Sequence, residues 1–417
     1  MIDGDGVSVG VDIGTSKTSV VIAQRDEFED KITILGSGIA RNSGVRKGKI
    51  VNIEATIASI KKAAEDAILM AGVEIGTVNI NVPGEIESLN SNGIVGISRK
   101  DKEVSYKDIQ RVIDTAKQHN IGHDKVILHI FPQNFKLDEQ DNIKDPVGMT
   151  GLRLEGSVHL ITAPRINLTN IIKCVKKAGF NPVQGISSAF ASANAVLSDE
   201  DRHSGALVVD IGAGTTDIIG FLDGHPVFST VVLLGGNNLT KDLSIGLKIA
   251  EGLSEKIKIK HGCVYSGLVD PVEEIEIPLY GRNQVERISK QRINTVLEPR
   301  AEEIFLMVKR RVEEKGYNLD YFSNGVILTG GCAKLTGMLE LGEKILGVPA
   351  RMGYPQNIGG IIDEVMDPAY SAAVGICAGE KSVFEDTLVS DEKKHLLTGN
   401  SGQMGQKLKS FFKEIFG

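Results

Sequence analysis

The stretch VDIGTSKTSV, from Val11 to Val20, returns 198 residues later as VDIGAGTTDI, from Val209 to Ile218. Val11-Asp12-Ile13-Gly14 matches Val209-Asp210-Ile211-Gly212, and Thr18 matches Thr216. Short apolar runs flank each copy, Val7 to Val11 and Ser19 to Ile22 in one, Ala206 to Val209 and Ile218 to Phe221 in the other. Each copy therefore reads as a β-hairpin with a glycine-rich tip. Glycine is expected there to take positive φ and to bring backbone N–H groups close to a ligand. Thr15, Ser16, Thr215 and Thr216 add hydroxyls, and Lys17 adds a positive charge. Such a tip suits a polyphosphate. An aspartate closing each strand, Asp12 and Asp210, suits Mg²⁺, which takes oxygen ligands and keeps its waters. Either copy alone is equally an ordinary hairpin with a solvated tip. The repetition points to two related domains that clamp a nucleotide–metal complex between them.

A third glycine element fits that arrangement. In GVILTGGCAKLTGM, Gly325 to Met338, a strand at Val326-Ile327-Leu328 breaks at Gly330-Gly331 and a helix follows. With no Cβ in the way, a flat base can lie on the two glycines. The rest of the composition excludes more than it selects. The chain has 417 residues, enough for two or more cores, with net charge −7. That charge argues against a general nucleic-acid surface. Cys174, Cys263, Cys332 and Cys377 are scattered without a CxxC pair, which argues against zinc and against a disulfide framework. The acidic opening MIDGDGVSVG reads as no secretion signal, and no apolar run reaches membrane-span length. Membrane contact is expected to be peripheral.

Hairpin, hairpin and glycine pair, in this order, resemble the actin-like ATPase superfamily. The wider pattern resembles the FtsA family of bacterial cell-division proteins. It includes DPVGMTGLRLEG (Asp145 to Gly156), KIKHGC (Lys258 to Cys263), VLEPRAEEI (Val296 to Ile304) and DPAYSAAVGI (Asp367 to Ile376). The resemblance implies an α/β fold of two RNase-H-like domains around a nucleotide cleft, with an FtsA-type 1C insert and a C-terminal amphipathic helix. It divides the chain into subdomain 1A (1–83, 164–202, 362–382), 1C (84–163), 2A (203–233, 298–361) and 2B (234–297). A linker (383–405) and a membrane-targeting helix (406–417) complete the chain.

The local pattern is compatible with that division. Ile53 to Met70 reads as an amphipathic helix, Thr77 to Val82 as a strand, and Asn167 to Ala178 and Ser187 to Leu197 as helices. In the 1C stretch, Ser105 to Gln118 reads as a helix capped by Ser105, with Ile109, Val112, Ile113 and Ala116 on one face. Val126 to Ile130 and Ser157 to Thr162 read as strands. A helix is expected at about Thr295 to Lys315. Two segments rich in small residues, around Ala189 to Ala195 and Ala369 to Gly375, permit close helix approach, and the resemblance makes them the helices that cross at the hinge.

The resemblance implies ATP with Mg²⁺ as ligand. The nucleotide residues are then Asp12, Gly14, Thr15, Ser16, Lys17, Asp210, Gly212, Gly214, Thr215, Thr216, Gly330 and Gly331, with Asp12 and Asp210 at the metal. It adds Glu255 and Lys258, at i, i+3 on one helix, as contacts to ribose and adenine; their other reading is a surface ion pair. Hydrolysis needs a group that orients water. Other ATPases of the superfamily place Glu or Gln at the start of the first crossing helix. Here Gly185-Ile186-Ser187-Ser188-Ala189-Phe190 holds neither, so at most slow hydrolysis is expected, with no catalytic residue assigned.

After about Ser382 the sequence turns polar and Gly/Ser-rich, then ends in KLKSFFKEIFG. Leu408, Phe411, Phe412, Ile415 and Phe416 recur at i, i+3, i+4, i+7 and i+8, with Lys407, Lys409 and Lys413 off that face. This reads as a reversible anchor on anionic lipid, or as a helix docked on the core. The resemblance implies a protein that polymerises and tethers FtsZ filaments to the cytoplasmic face of the membrane at the division septum. It implies a docking surface for the FtsZ C-terminal peptide on 2B and contacts to other divisome proteins through 1C. Arg292 and Arg300, in RISKQRINTVLEPRAEEI, are the expected FtsZ contacts, beside apolar surface from Ile288, Ile293, Val296 and Leu297. Pro299 leaves the helix geometry there open. Two other readings share the fold: an adaptor of a pilus assembly machine, and a phosphotransferase, which would need a catalytic aspartate in a substrate cleft.

Overall fold

The computed structural model describes residues 6–25, 31–118, 121–278, 285–361 and 363–379. The linker and the terminal helix expected over 383–417 lie outside these residues. The first half contains β1 (Val7–Ile13), β2 (Lys17–Arg25), β3 (Ile32–Arg41), the short pair β4 (Val45–Arg46) and β5 (Lys49–Ile50), α1 (Ile53–Ala71) and β6 (Thr77–Val82). An insert follows: β7 (Glu87–Gly96), α2 (Tyr106–Lys117), β8 (Lys125–Leu137), β9 (Gln140–Ile143) and β10 (Arg153–Pro164). The first half resumes with α3 (Arg165–Ala178), β11 (Asn181–Ser187), α4 (Ser188–Val196) and α5 (Asp199–Ser204).

The second half contains β12 (Ala206–Ile211), β13 (Thr216–Leu222), β14 (His225–Val232), α6 (Gly236–Leu247) and α7 (Glu251–His261). It continues with β15 (Glu274–Pro278), β16 (Val285–Ser289), α8 (Lys290–Glu314), β17 (Val326–Thr329), α9 (Met338–Leu346) and β18 (Ala350–Met352). The chain then returns to the first half as β19 (Ile358–Gly360) and α10 (Ser371–Cys377).

The repeat seen in the turns extends to whole sheets. One sheet runs β11-β6-β1-β2-β3-β19 and the other β18-β17-β12-β13-β14. In each, the hairpin and the next strand pair antiparallel, and the strands on the other side of the hairpin's first strand pair parallel. Parallel neighbours leave the two tips at the same end of their sheets. One core covers the first sheet and continues through α4 onto one face of the second, at Val208, Ile219, Phe221 and Ile327; a second core fills the other face of the second sheet.

The insert forms a separate antiparallel sheet, β7-β10-β8-β9, covered by α2. Ile109, Val112, Ile113 and Ala116 are fully buried against it, and the backbone N–H of Ser105 donates to Asp108 Oδ2 at 3.0 Å at the helix start. Its edge strand β7 meets the second half. The Ser229 N–H of β14 donates to Ser88 Oγ at 2.7 Å, and Ser88 Oγ donates to the Ser229 carbonyl at 3.0 Å. Lys315 Nζ donates to the Ser88 carbonyl at 3.2 Å. Two sheet edges that would otherwise be open thus cover each other. A line of rings follows the same route: Phe131 in β8 lies 5.0 Å from Phe190 in α4, which lies 6.5 Å from Phe221 in β13.

The helix expected from Thr295 starts earlier and runs unbroken through Pro299. Proline removes one N–H bond to the preceding turn. Here Ile293, Leu297, Ala301, Ile304, Phe305, Val308 and Val312 bury a continuous face, and that packing holds the helix together. It also corrects the expected apolar docking surface: Ile288, Ile293 and Leu297 are core residues, at 2%, 0% and 0% exposure.

The halves are joined where α4 and α10 pack together. The spacing is set by glycine: a Cβ on Gly375 would lie 1.7 Å from the Ala191 carbonyl oxygen, and one on Gly10 would lie 2.5 Å from the Ala373 carbonyl oxygen. The Gly375→Ala variant must push the helices apart. It is expected to lose about 1–3 kcal/mol of stability, the usual cost of overpacking. Denaturant titration checks this, and an unchanged midpoint would show that the helices are not in forced contact.

Candidate functional site

The two tips are built alike, down to one hydrogen bond. Gly14 N–H donates to the Lys17 carbonyl at 2.9 Å, and Gly212 N–H donates to the Thr215 carbonyl at 2.9 Å. Neither Gly14, Gly212 nor Gly214 has positive φ, so that expectation fails. The glycines serve close approach instead. A Cβ on Gly14 would meet the Lys17 carbonyl oxygen at 2.9 Å, and one on Gly214 would meet Thr15 Oγ1 of the opposite tip at 2.6 Å. Gly330 does have positive φ, +87°, and a Cβ there would lie 2.2 Å from Asp210 Oδ1.

Between the tips lies a cleft of about 400 Å³. Asp12, Gly14, Thr15, Ser16 and Lys17 line it from the first half; Asp210, Gly212, Gly214, Thr215, Glu255, Lys258, Gly330 and Gly331 line it from the second. Thr216 does not. Its hydroxyl is buried and donates to the Leu234 carbonyl at 3.0 Å. In a strand alternate residues face opposite sides, so Asp217 faces the cleft and Thr216 turns away. The sequence reading left Asp217 out of the site. The signal was present: Asp217 stands where the first copy has Ser19.

Three carboxylates therefore stand at the cleft, Asp217 buried and Asp12 and Asp210 half-buried. Asp12 Oδ1 accepts from Asn81 Nδ2 at 2.6 Å, Asp210 Oδ2 from Ser192 Oγ at 2.5 Å, and Asp217 Oδ2 from Thr215 Oγ1 at 2.9 Å. Burial pushes all three up: Asp12 to about 6, Asp217 to about 8, and Asp210 above the usual carboxylate range. The Asp210 charge adds to the rise in Asp12 and Asp217, while Lys17 opposes it in Asp12. Lys17 donates to the Ala369 carbonyl at 2.7 Å, and burial lowers its own pKa. Among the described residues no group of three or more His, Cys, Asp or Glu is set to hold a metal alone. Desolvated carboxylates beside an anion cradle nevertheless fit Mg²⁺, which binds through one or two carboxylates, waters and substrate phosphates.

Glu255 and Lys258 form more than a surface pair. Lys258 is 6% exposed, and its ammonium donates to Glu255 Oε2 at 2.7 Å, to the Gly236 carbonyl at 3.0 Å and to Thr240 Oγ1 at 2.9 Å. This leaves Glu255, half exposed, at the cleft wall. At the start of α4, Ser188 faces the cleft near Asn81, 3.2 Å away, while Ser187 is buried and caps the helix through the Phe190 N–H. Asn81 was not read from the sequence as a lining residue, since nothing in a strand end marks which tip it sits beside.

The expected FtsZ contacts lie elsewhere, along α8. Arg300 is bound to Asp242, Nε to Oδ2 at 2.5 Å, and to Glu303. Arg292 is half exposed, with Glu286 at 3.4 Å.

The family model "Cell division protein FtsA" matches residues 207–375, and "SHS2 domain inserted in FTSA" matches residues 84–162. The cell division protein FtsA of Borreliella burgdorferi is 38% identical over 371 residues, 88% of this chain and 89% of the relative. That of Escherichia coli K12 is 30% identical over 416 residues, 98% of each chain. The chain belongs to the FtsA family of cell division proteins. The fold is actin-like, with the SHS2 insert of the FtsA family as its 1C unit. Its backbone resembles the "PilM-PilN type IV pilus biogenesis complex" with TM-score 0.62 at 16% identity, covering 89% of this chain and 97% of that one. It also resembles MreB5 of Spiroplasma citri bound to ADP, with TM-score 0.54 at 14% identity, covering 88% and 94%.

Buried Asp217 gives a pH signature. Asp217 goes from 3.8 when unfolded to about 8 when folded, so the fold favours its protonated form. That contribution is whole at low pH and declines as pH rises to about 8. The empty protein is expected to lose stability between about pH 6 and 8, and Asp217→Asn to flatten this slope. Denaturation midpoints across that range check it; parallel slopes for both proteins would contradict it.

Proposed function

We propose that this FtsA-family chain binds ATP with Mg²⁺ in the cleft and acts as a membrane adaptor for FtsZ filaments at the division septum. The observation that carries the nucleotide reading is the facing pair of tips, with Asp12, Asp210, Lys17 and the glycine pair lining one cleft. Thr15, Ser16, Thr215 and the tip N–H groups hold the phosphates, Asp12 and Asp210 orient the metal and its waters, Gly330 and Gly331 receive the base, and Glu255 meets the ribose. The division into 1A, 1C, 2A and 2B given above goes with this reading. The start of α4 presents serine where a water-orienting Glu or Gln is needed, which favours a bound, slowly hydrolysed nucleotide that sets the closed, polymerising shape.

Membrane contact belongs to Leu408, Phe411, Phe412, Ile415 and Phe416. Among the described residues no helix is long and apolar enough to cross a membrane. Full burial of a large apolar side chain is worth about 1.5–3 kcal/mol, and an interfacial helix buries its face partly, so a single tail binds reversibly. A filament carries many tails and gains by effective concentration. Self-assembly and anchoring therefore support each other. The FtsZ peptide is acidic and apolar in this reading and docks beside Arg292 and Arg300. Because Ile288, Ile293 and Leu297 are in the core, Val296 and the side-chain stems around the arginines supply its apolar contact. Other divisome proteins dock on 1C. At 30–38% identity the division-protein relatives favour this reading over the pilus adaptor, which rests on fold alone.

Liposome co-sedimentation tests the adaptor reading. Anionic vesicles, ATP and this protein are expected to bring FtsZ into the pellet. With Phe412→Glu, both proteins should stay in solution while ATP binding persists. With Arg292→Glu, the adaptor alone should sediment. FtsZ that sediments equally with all three proteins would refute the reading.

A further inference from the structure

Among the described residues, the lysines that line the cleft are Lys17, Lys258 and Lys334. None is waiting for a ligand. Lys258 is neutralised by Glu255. The other two converge, from opposite halves, on one turn, Asp367 to Tyr370. Lys17 donates to the Ala369 carbonyl at 2.7 Å and stands 4.7 Å over the Tyr370 ring. Lys334 pairs with the Asp367 carboxylate. Pro368 and Ala369 themselves line the cleft.

The turn is tied to both halves and to the hinge. Asp367 Oδ1 accepts from the Ala369 N–H at 2.8 Å, which fixes the turn's shape. Gly330 N–H, from the glycine pair, donates to the Pro368 carbonyl at 3.2 Å. The next residue, Ser371, opens α10, and its hydroxyl lies 2.7 Å from Thr329 Oγ1 at the end of β17. Whatever displaces this turn acts directly on the helix that crosses against α4.

We propose that the Asp367–Tyr370 turn is a built-in competitor for phosphate: it holds Lys17 and Lys334 and yields them to the phosphate chain of a bound nucleotide. This deepens the nucleotide reading and rests on it. A phosphate chain brings several negative charges into a cleft that Asp12 and Asp210 already line, so it needs these two cations. Asp367 is the wrong charge to have beside it. When Lys334 moves to phosphate, the Lys334–Asp367 tie between the halves opens, and the charge of the ligand is passed to α10. The polyphosphate, rather than the base, is what the turn senses.

The signs of two variant effects separate competition from simple support. Lys334→Ala removes a cation from the ligand. Asp367→Asn frees Lys334 while its amide oxygen still accepts from the Ala369 N–H. Calorimetric titrations with Mg²⁺-ATP and with adenosine compare wild type and both variants. Lys334→Ala is expected to weaken ATP roughly three- to tenfold, the scale of one partly exposed charged contact. Asp367→Asn is expected to tighten ATP roughly two- to fivefold, the scale of a half-exposed ion pair. Adenosine affinity should not change in either. Weaker ATP binding by Asp367→Asn would overturn competition, and so would an equal loss of adenosine and ATP in Lys334→Ala, which would place that lysine at the base. Thermal melts verify folding, and Lys334→Gln replaces Lys334→Ala if the latter does not fold. Wild type that binds neither ligand would remove the nucleotide reading itself, a result distinct from either sign.

Discussion

The structure depends on how closely α4 and α10 cross. Gly375 stacks on the Ala191 carbonyl, and Gly10 of β1 leaves room for the Ala373 carbonyl. Small side chains there let two complete sheets share one seam. The seam fixes the distance between the tips, so that Gly214 of one rests on Thr15 of the other. Within the second sheet, the parallel pairing of β12 with β17 sets Gly330 against Asp210. A larger residue at the crossing would separate the two carboxylates before it touched any ligand group. The hinge and the site are thus one piece of packing.

Much of this was legible in the chain. A repeated Asp-Ile-Gly turn between apolar runs has few solutions other than matched hairpins, and the parallel strands beside them repeat too. The helical stripe at Ile109, Val112, Ile113 and Ala116 is buried as its spacing requires. What escaped detection was set by tertiary facing. Thr216 and Asp217 are neighbours in sequence, yet only one faces the cleft, because strand side chains alternate. The 287–304 stretch looked like a basic surface with an apolar border, but Ile288 turns inward from β16, and Ile293 and Leu297 turn inward at helical spacing from α8. Pro299 looked like a break and is carried by the core beneath it. The contact of β7 with β14 joins residues more than a hundred positions apart, and nothing local marks it.

The cleft carries an electrostatic burden that explains its shape. Carboxylates are costly to bury without a counter-charge. Each of the three accepts a hydrogen bond from a neutral side chain, and Lys17 is already engaged. A divalent cation with phosphate would relieve this, since it brings positive charge to the carboxylates and negative charge to the lysines. The insert has contacts with both halves, through Phe131 and Phe190 on one side and Ser88 and Ser229 on the other. It therefore sits where any change in the angle between the halves would be felt.

The most direct measurement is the ATP affinity of the wild type and of Asp210→Ala, by calorimetry with and without Mg²⁺. Wild type is expected to bind more tightly with Mg²⁺, by about tenfold or more, the scale of one charged contact. Asp210→Ala is expected to lose that gain while it keeps a cooperative unfolding transition. Equal affinity of the two proteins in Mg²⁺ would contradict a metal–nucleotide complex held between the paired turns.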